Sequence, residues 1–296
     1  MVFEKDVSLK DYTTFKIGGR ADYFFSPSDL EELKGCFEFI HGEKLPFFVL
    51  GGGSNILVSD DGFRGVVVYT GRLNEISVSS SKEGGISLNV GAGSSVKDLV
   101  IFSAGNGFSG LEEFYGLPGT VGGATFMNAR CYGKEFSDVV SEVVAFDTFK
   151  KDVKVLKRDE IFLGYKRTIF QRNVNLFIFE VRFSLKIGKK KKIFEKMNHF
   201  IKDRELKGQF LYPNAGCIFK NNREFGEPTG VILERVGLKG VKRGGVKFFE
   251  KHANFIVNFD NGRAEDVLYL INMAKDVVYK KFKFSLEEEI GFLGFK

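Results

Sequence analysis

The sequence predicts an α+β protein with more than one domain. Its 296 residues exceed a typical domain of roughly 100–200 residues. Residues 1–70 have the pattern of a small α+β unit, and the next hundred residues are dominated by short strand-like runs. We therefore expect three segments, at 1–70, 71–186 and 187–296.

The individual elements follow from the spacing of apolar residues. Predicted strands are ADYFF (21–25), PFFVL (46–50), ILV (56–58), VVVY (66–69), ISLNV (86–90), FIFEVRFSL (177–185) and NFIVN (254–258). Predicted helices begin after residue 28 and cover Val96–Ala104, residues 191–206 and residues 264–281. Ser28 and Glu31 have the spacing of a capping box for the first helix.

Composition excludes several classes of protein. The chain is 43% hydrophobic and 28% charged, as is typical of soluble globular proteins, and no apolar run approaches 18 residues. The net charge is +6, and the one dense run, Lys189–Lys192, has no interleaved aromatic or Arg residue. This run predicts a solvated turn into a helix rather than a nucleic-acid surface.

The cysteines favour a reducing compartment. Cys36, Cys131 and Cys217 are odd in number and widely spaced, and no CxxC occurs. Neither a zinc site nor a disulfide framework is indicated. We expect a cytoplasmic protein that binds no metal, membrane or nucleic acid.

Two glycine-rich stretches predict a phosphate-binding site. The first, Gly51-Gly52-Gly53-Ser54-Asn55, directly follows an apolar strand. Glycines tolerate φ > 0 and a close backbone approach, and successive N–H groups can form a nest for an anion. The second, GLPGTVGGATFMNA (116–129), is equally dense, and together the two suit a dinucleotide that lies along the backbone.

A third stretch, NVGAGSSV (89–96), mimics a Rossmann fingerprint. It follows a strand and leads toward a helix, but position 96 is Val where the pattern requires Gly. No regular βαβ alternation surrounds it, so we do not expect a Rossmann site there.

Seven segments, in order along nearly the whole chain, resemble the UDP-N-acetylenolpyruvoylglucosamine reductase (MurB) family. They are TTFKIGGRADYF (13–24), LGGGSNILVSDDGFRGVVV (50–68), GLPGTVGGATFMNA (116–129), PNAGCIFKNN (213–222), GLKG (237–240), KHANFIVN (251–258) and LEEEIGFLG (286–294). The short connection from Phe170 to the strand at 177 resembles the type of this family that lacks an extra tyrosine-bearing loop.

The resemblance implies a two-part FAD-binding domain of the vanillyl-alcohol-oxidase/PCMH type and a C-terminal α+β substrate-binding domain. FAD would be bound non-covalently and reduced by NADPH. UDP-N-acetylglucosamine enolpyruvate would then be converted to UDP-N-acetylmuramate for peptidoglycan synthesis, by an enzyme expected to be a monomer. The implied FAD-contacting residues are Gly51, Gly52, Gly53, Ser54, Asn55, Gly119, Thr120, Gly122 and Gly123.

The resemblance also implies the residues of the substrate site. Cys217 occupies the position of the family's proton-donor Ser, and a thiol is a stronger acid than an alcohol. Glu289 matches the family's catalytic Glu, which we expect to face the substrate carboxylate in protonated form or through a donor. Glu287 lies two residues away, on the same side of an extended strand, and only the resemblance favours Glu289 over it. Lys220 and Asn221 match FKN and are expected to contact the substrate.

The position of the family's catalytic Arg is less clear. The motif FGYRxS aligns with Leu163-Gly164-Tyr165-Lys166-Arg167-Thr168, so the expected Arg is Lys166. Lys provides charge without a bidentate fork, and neighbours on a strand face opposite sides. We prefer Lys166 as the catalytic group and expect Tyr165 and Arg167 to contact the substrate.

Three other functions remain open at this point. One is a different FAD oxidoreductase of the same fold, such as a sugar or alcohol oxidase. Another is a flavin-binding protein that has lost catalysis, in view of the departures at Lys166 and Cys217. The third is a nucleic-acid-binding protein that acts through its lysines.

Overall fold

A computed structural model describes residues 2–79 and 85–295 of the chain. Two compact units divide these residues. The first is drawn from Met1–Phe3, Phe24–Gly52 and Val66–Asp203, and the second from Glu4–Tyr23, Gly53–Gly65 and Arg204–Lys296. This division by compactness differs from the predicted functional segments 1–70, 71–186 and 187–296, which stay a prediction.

The strands are short and numerous, as the sequence predicts. In chain order they are β1 (Glu4–Ser8), β2 (Arg20–Phe25), β3 (Phe47–Leu50), β4 (Ile56–Val58), β5 (Phe63–Tyr69), β6 (Ile76–Ser79), β7 (Gly85–Gly91), β8 (Phe108–Ser109), β9 (Arg130–Cys131), β10 (Lys134–Glu135), β11 (Val140–Asp147), β12 (Asp152–Lys157), β13 (Phe162–Gly164), β14 (Arg167–Thr168), β15 (Leu176–Ile187), β16 (Asn214–Cys217), β17 (Lys242–Arg243), β18 (Val246–Phe249), β19 (His252–Asn258) and β20 (Gly291–Leu293). All seven predicted strands are confirmed, with ends shifted by a few residues.

The predicted helices are also present. The α-helices of the described residues are α1 (Leu30–Gly42), α2 (Val96–Asn106), α3 (Val121–Phe126), α4 (Arg158–Ile161), α5 (Ile169–Arg172), α6 (Lys190–Leu206), α7 (Thr229–Arg235) and α8 (Ala264–Phe282). The lysine run leads into the exposed first turn of α6, which confirms its prediction as a solvated helix start.

The predicted capping box of α1 is wrong by one residue. Asp29 is the N-cap, and its side chain accepts a hydrogen bond from the Glu32 N–H at 2.8 Å. The third helical position is therefore Glu32 rather than Glu31. The Glu32 carboxylate accepts from the N–H and the hydroxyl of Ser28, each at 2.8 Å, and the hydrogen bond from the Ser28 backbone lowers the pKa of this carboxyl.

The first unit is built around an antiparallel sheet of six strands. Its order is β12-β11-β15-β7-β6, and β8 also pairs with β15. Val181 in the middle strand lies opposite Val143 on one side and Val90 on the other. These apolar residues pack against α2 and the Phe114, Phe136 and Phe183 side chains in one core. In the same unit, β3 pairs in parallel with β5, with Phe47 opposite Val66.

The stretch at 89–96 does not form a Rossmann site. The strand that precedes it, β7, is antiparallel to both of its neighbours, so no βαβ unit exists there. Its glycines have a packing role instead. A Cβ at Gly91 would lie 2.3 Å from the Leu73 carbonyl oxygen, and one at Gly93 would lie 1.8 Å from that of Thr70.

The second unit contains an antiparallel sheet of order β16-β19-β18-β17. Helices α7 and α8 cover a core that includes Ile218, Phe219 and Ile256. Near the end of the chain, β20 pairs in parallel with β4, and Gly291 lies opposite Ile56. The second unit is therefore assembled from distant parts of the sequence.

Candidate active site

In the first unit, the two glycine-rich stretches pack directly on each other. A Cβ at Gly52 would lie 2.6 Å from the Cα of Gly119, and one at Gly51 would lie 2.5 Å from the Thr120 hydroxyl. Real Cβ atoms do not approach this closely, so the backbone contact requires glycine at position 52, and a side chain at position 51 would displace the Thr120 hydroxyl. We predicted from the sequence that these glycines contact a ligand. The structure shows that they also allow the two stretches to pack against each other.

The second stretch is held by its neighbours. The N–H of Val96 donates to the Gly119 carbonyl at 3.1 Å, and that of Val121 donates to the Ser94 carbonyl at 2.8 Å. Thr120 is the N-cap of α3 and accepts from the Gly123 N–H at 3.3 Å. A Cβ at Gly122 would lie 2.8 Å from the Cβ of Ala92, whereas Gly123 is exposed.

In the second unit, the remainder of the first loop is equally tight. Gly53 has φ of +58°, and a Cβ there would lie 2.1 Å from the Tyr12 carbonyl oxygen. Asn55 donates its Nδ2 to the Glu289 carbonyl at 3.0 Å and accepts from the Gly291 N–H at 2.9 Å. Asn55 therefore connects the loop that carries Ser54 to the segment that carries Glu289.

Three backbone N–H groups of these stretches in the first unit donate no hydrogen bond to the described part of the chain. Among the hydrogen bonds of residues 2–79 and 85–295, none uses the N–H of Gly52, Gly119 or Thr120 as its donor. Backbone N–H groups normally find an acceptor when they are not solvated. The loops thus fit the pyrophosphate of a dinucleotide, whose oxygens accept such hydrogen bonds.

Cys217 lies at a β-bulge in the second unit. Asn214 pairs with Val257 and Cys217 with Phe255, and the register shifts between these two pairs. Gly216 is within the bulge at φ of +75°, a conformation that favours glycine. Its N–H donates to the Asn214 side-chain oxygen at 2.9 Å. Bulges of this kind redirect the next side chain, so the Ala-Gly-Cys sequence sets the direction of the thiol.

A residue that the sequence analysis missed holds the strand beyond Cys217. Asn254 is 1% exposed, and its side chain accepts from the Phe219 N–H at 2.9 Å and donates to the Phe219 carbonyl at 2.8 Å. The Ile218 N–H donates to the Asn254 backbone carbonyl at 2.8 Å. The available signal in the sequence was an Asn within the apolar strand of the KHANFIVN segment. A side-chain amide buried in such a strand needs hydrogen-bond partners.

The three consecutive glutamates are distinguished by their partners. Glu287 pairs with Lys220, and Glu288 pairs with Lys275 at 2.7 Å. The backbone N–H of Glu289 donates to the Ile218 carbonyl at 2.7 Å. Glu289 therefore belongs to the segment that pairs with the chain directly after Cys217.

The two residues predicted from FKN have local roles. Lys220 is held by Glu287, and its carbonyl accepts from the Thr229 hydroxyl at 2.7 Å. The Asn221 side-chain oxygen accepts from the Thr229 N–H at 2.9 Å, at the first residue of α7. Substrate contact by Lys220 and Asn221 stays a prediction.

Tyr165 and Lys166 form the turn between β13 and β14 in the first unit, where Gly164 pairs with Arg167. The expectation that Lys166 and Arg167 lie on opposite sides of a strand is wrong, because Lys166 has φ of +55° and occupies the turn. Lys166 is only 9% exposed, whereas Arg167 is exposed. Left-handed backbone at a non-glycine residue is costly and is concentrated at functional sites.

Each unit thus brings together part of the predicted site. In the first unit lie Gly51, Gly52, Gly119, Thr120, Gly122, Gly123, Tyr165, Lys166 and Arg167. In the second lie Gly53, Ser54, Asn55, Cys217, Lys220, Asn221 and Glu289.

The other two cysteines differ from Cys217 in their surroundings. Cys36 is a buried residue of α1, and burial raises the pKa of its thiol to about 12. Cys131 donates a hydrogen bond to the Glu113 carbonyl at 3.2 Å. Across the described part of the chain, no helix combines the length and the apolar character that crossing a membrane requires.

Comparison with known proteins agrees with this arrangement. Residues 21–155 match the model of an FAD binding domain, and residues 208–293 match the C-terminal domain of UDP-N-acetylenolpyruvoylglucosamine reductase. Curated relatives of that name include one from Borreliella burgdorferi, 40% identical over 98% of this chain and 94% of the relative. Another, from Treponema denticola, is 38% identical over 97% of this chain and 92% of the relative.

A solved structure gives the same result. The reductase (MurB) from Thermus caldophilus is 33% identical, covers 99% of both chains and superposes with a TM-score of 0.80. The predicted family, its α+β fold with an FAD-binding domain and a C-terminal domain, and FAD as the cofactor are confirmed. The chain belongs to the UDP-N-acetylenolpyruvoylglucosamine reductase family.

Proposed function

We propose that this chain reduces UDP-N-acetylglucosamine enolpyruvate to UDP-N-acetylmuramate, with electrons from NADPH, in the synthesis of peptidoglycan precursors. The similarity to reductases of this name over nearly the whole chain supports the reaction. The observation that carries the assignment in this molecule is the hydrogen bond from Glu289 to Ile218. This hydrogen bond joins the segment that carries the Glu289 carboxyl group to the chain directly after Cys217, the predicted proton donor.

The two glycine loops are proposed to hold FAD without a covalent bond. Gly51–Asn55 and Gly119–Gly123 present backbone donors to its pyrophosphate, from a framework that their mutual packing fixes. When bound, FAD supplies the hydride that passes from NADPH to carbon 3 of the enolpyruvyl group. The protein's task is then to stabilise the negative charge that develops from carbon 2 into the carboxylate and to deliver one proton.

Cys217 is proposed to deliver that proton to carbon 2. The Gly216 bulge fixes the direction of its side chain, and the thiol lies beside the apolar residues Phe249, Phe255 and Val257. A proton donor must be held in place before transfer, and Asn254 supports this by fixing the strand.

Lys166 and Glu289 are proposed to act on the substrate carboxylate. Lys166 provides positive charge from a turn whose left-handed conformation and low exposure set it apart from Arg167. Glu289 is favoured over Glu287, because the resemblance places it there and its backbone N–H joins it to Ile218, the residue after Cys217. Tyr165, Arg167, Lys220 and Asn221 are proposed to contact the rest of the substrate.

We propose a monomeric, cytoplasmic enzyme that binds no nucleic acid. Residues 1–70 and 71–186 would form the two parts of the FAD domain, and residues 187–296 would cover the substrate.

The absorption spectrum of the purified protein tests the function. A flavin spectrum, bleached by NADPH and restored by the enolpyruvyl substrate under anaerobic conditions, is the expected result. Flavin that bleaches but is not restored by substrate would indicate a flavin-binding protein that has lost catalysis. Flavin that stays with the chain after denaturation would favour an oxidase with covalent FAD.

A further inference from the structure

The replacement at position 166 raises a question about the substrate carboxylate. A carboxylate has two oxygens in one plane, and a guanidinium matches them with two parallel hydrogen bonds. The ammonium of Lys166 is a point charge and cannot form that fork. A guanidinium that lies near the Lys166 turn could supply the missing geometry.

Arg130 in β9 meets this condition. Its guanidinium carbon lies 5.6 Å from the centre of the Tyr165 ring, within the range of a cation–π contact. Tyr165 directly precedes Lys166 in the turn between β13 and β14. All three residues belong to the first unit, so Arg130 is beside the turn through a contact within that unit.

The side-chain donors of Arg130 make no hydrogen bond within the described part of the chain. An ion pair there joins its Nε to the Glu135 Oε1 at 3.6 Å, beyond hydrogen-bond distance. Within residues 2–79 and 85–295, no hydrogen bond has Arg130 as its side-chain donor, although its side chain is only 34% exposed. The other oxygen of Glu135 accepts from the Asn128 amide at 2.9 Å. Glu135 therefore attracts the guanidinium without taking its terminal N–H groups.

The backbone on both sides of Arg130 is unusual. Asn128 has φ of +42° and Tyr132 has φ of +50°, so two left-handed non-glycine residues flank Arg130 within five positions. Tyr132 and Gly133 form the tight turn between β9 and β10. At Tyr132 this conformation is what a two-residue hairpin turn requires, so Arg130 has a defined place in a short hairpin.

We propose that Arg130 supplies the bidentate contact to the carboxylate of the enolpyruvyl group, with Lys166 as the point charge beside it. This inference rests on the proposed function. A single Arg would provide both a positive charge and two parallel hydrogen bonds. Here Lys166 provides the charge and Arg130 the hydrogen bonds, from two hairpins that are in contact.

Two ligands separate this role from a structural one. The first is the enolpyruvyl substrate, and the second is UDP-N-acetylglucosamine, which lacks the carboxylate. Dissociation constants are measured by calorimetry on the oxidised FAD-loaded enzyme. Arg130→Ala is expected to weaken binding of the enolpyruvyl substrate roughly 10- to 100-fold. Binding of UDP-N-acetylglucosamine should weaken less than about twofold.

Arg172→Ala is the matched control, because Arg172 is also an exposed Arg of the first unit. It should leave both dissociation constants unchanged. If Arg130→Ala does not fold, Arg130→Lys keeps the charge without the fork and should still weaken the enolpyruvyl ligand about fivefold or more.

The inference is overturned if the variant binds the enolpyruvyl substrate normally, or if it loses affinity equally for both ligands. Failure of the wild-type protein to bind the enolpyruvyl substrate would instead refute the proposed function.

Discussion

At the scale of single residues, the strongest expectation concerns Cys217. Cys217→Ala is expected to leave bleaching of the flavin by NADPH nearly intact. Reoxidation by the enolpyruvyl substrate should slow by roughly 100-fold or more, because removal of a positioned proton donor costs about 10²–10⁴ in rate. Anaerobic stopped-flow absorbance separates the two half-reactions.

Cys217→Ser provides the comparison. A hydroxyl occupies nearly the same place and carries a proton, so the serine variant should stay within about tenfold of the wild type. Equal reoxidation rates for the wild type and Cys217→Ala would show that the proton comes from elsewhere.

A second residue-level prediction compares Lys166 with Arg167. Lys166→Ala should slow reoxidation by substrate roughly 100-fold, since a lost donor to developing charge costs about 10²–10³. Arg167→Ala, at the exposed neighbouring position, should change it less than about fivefold. The same half-reaction assay measures both variants, and the reverse order of effects would assign the catalytic charge to Arg167.

Sequence patterns identified residues whose chemistry is unusual, such as a cysteine in a polar, glycine-containing stretch. They did not identify Asn254 or Arg130. Asn254 acts through hydrogen bonds to Phe219, which lies 35 positions away in the chain, and Arg130 acts through a contact with Tyr165. Such roles arise from pairs that only folding brings together.

At the scale of elements, the β16 bulge is the feature to test. Gly216→Ala introduces a Cβ into open space, but at φ of +75° it should cost about 1–2 kcal/mol. We expect a melting temperature lower by a few degrees and a large loss of substrate-dependent reoxidation, because the relaxed strand redirects Cys217.

Gly237→Ala is the control for this element. Gly237 has φ of +79° and also faces open space, so it should lose similar stability. Its reoxidation rate should match that of the wild type. Similar losses of rate in both variants would mean that destabilisation, rather than the direction of the thiol, lowers activity.

Elements with a clear period were predictable, and very short ones were not. The long strand β15 and helix α8 follow their apolar spacing. The two-residue strands β9, β10, β13 and β14 have no period to detect, and pairing across a turn defines them. The capping box of α1 was misplaced because Ser28 and Asp29 are both competent N-caps.

At the scale of the whole molecule, His252 is expected to make the free energy of unfolding depend on pH. Burial against Phe255, with smaller contributions from the charges of Lys207 and Lys239, lowers the pKa of its imidazole. Below the ordinary pKa of about 6.5, the unfolded chain takes up a proton that the folded protein does not. The free energy of unfolding should therefore fall as the pH decreases from 6.5 toward the lowered pKa, by at most roughly 1.4 kcal/mol per pH unit.

Urea unfolding at pH 7.5 and pH 5.5 measures this effect. His252→Gln cannot titrate, so its loss of stability between the two pH values should be smaller than that of the wild type. An identical loss would place the acid sensitivity in other groups.

The fold class was predictable from the order of the segments along the chain. The location of the cofactor loops was predictable from their density of glycine. The reason for the glycines was not. Gly51 and Gly52 accommodate Thr120 and Gly119, residues almost seventy positions away, and no local pattern reports such a packing partner.

The pairing of β20 with β4 has a consequence for the order of assembly during translation. The first unit is almost complete once residue 203 has left the ribosome, but β4 must wait until residue 293 has been made before it gains β20. Glu289 is likewise made more than two hundred residues after its hydrogen-bond partner Asn55. Nascent chains are thus expected to lack the β4–β20 pairing and the Asn55–Glu289 hydrogen bond until these later residues have emerged from the ribosome.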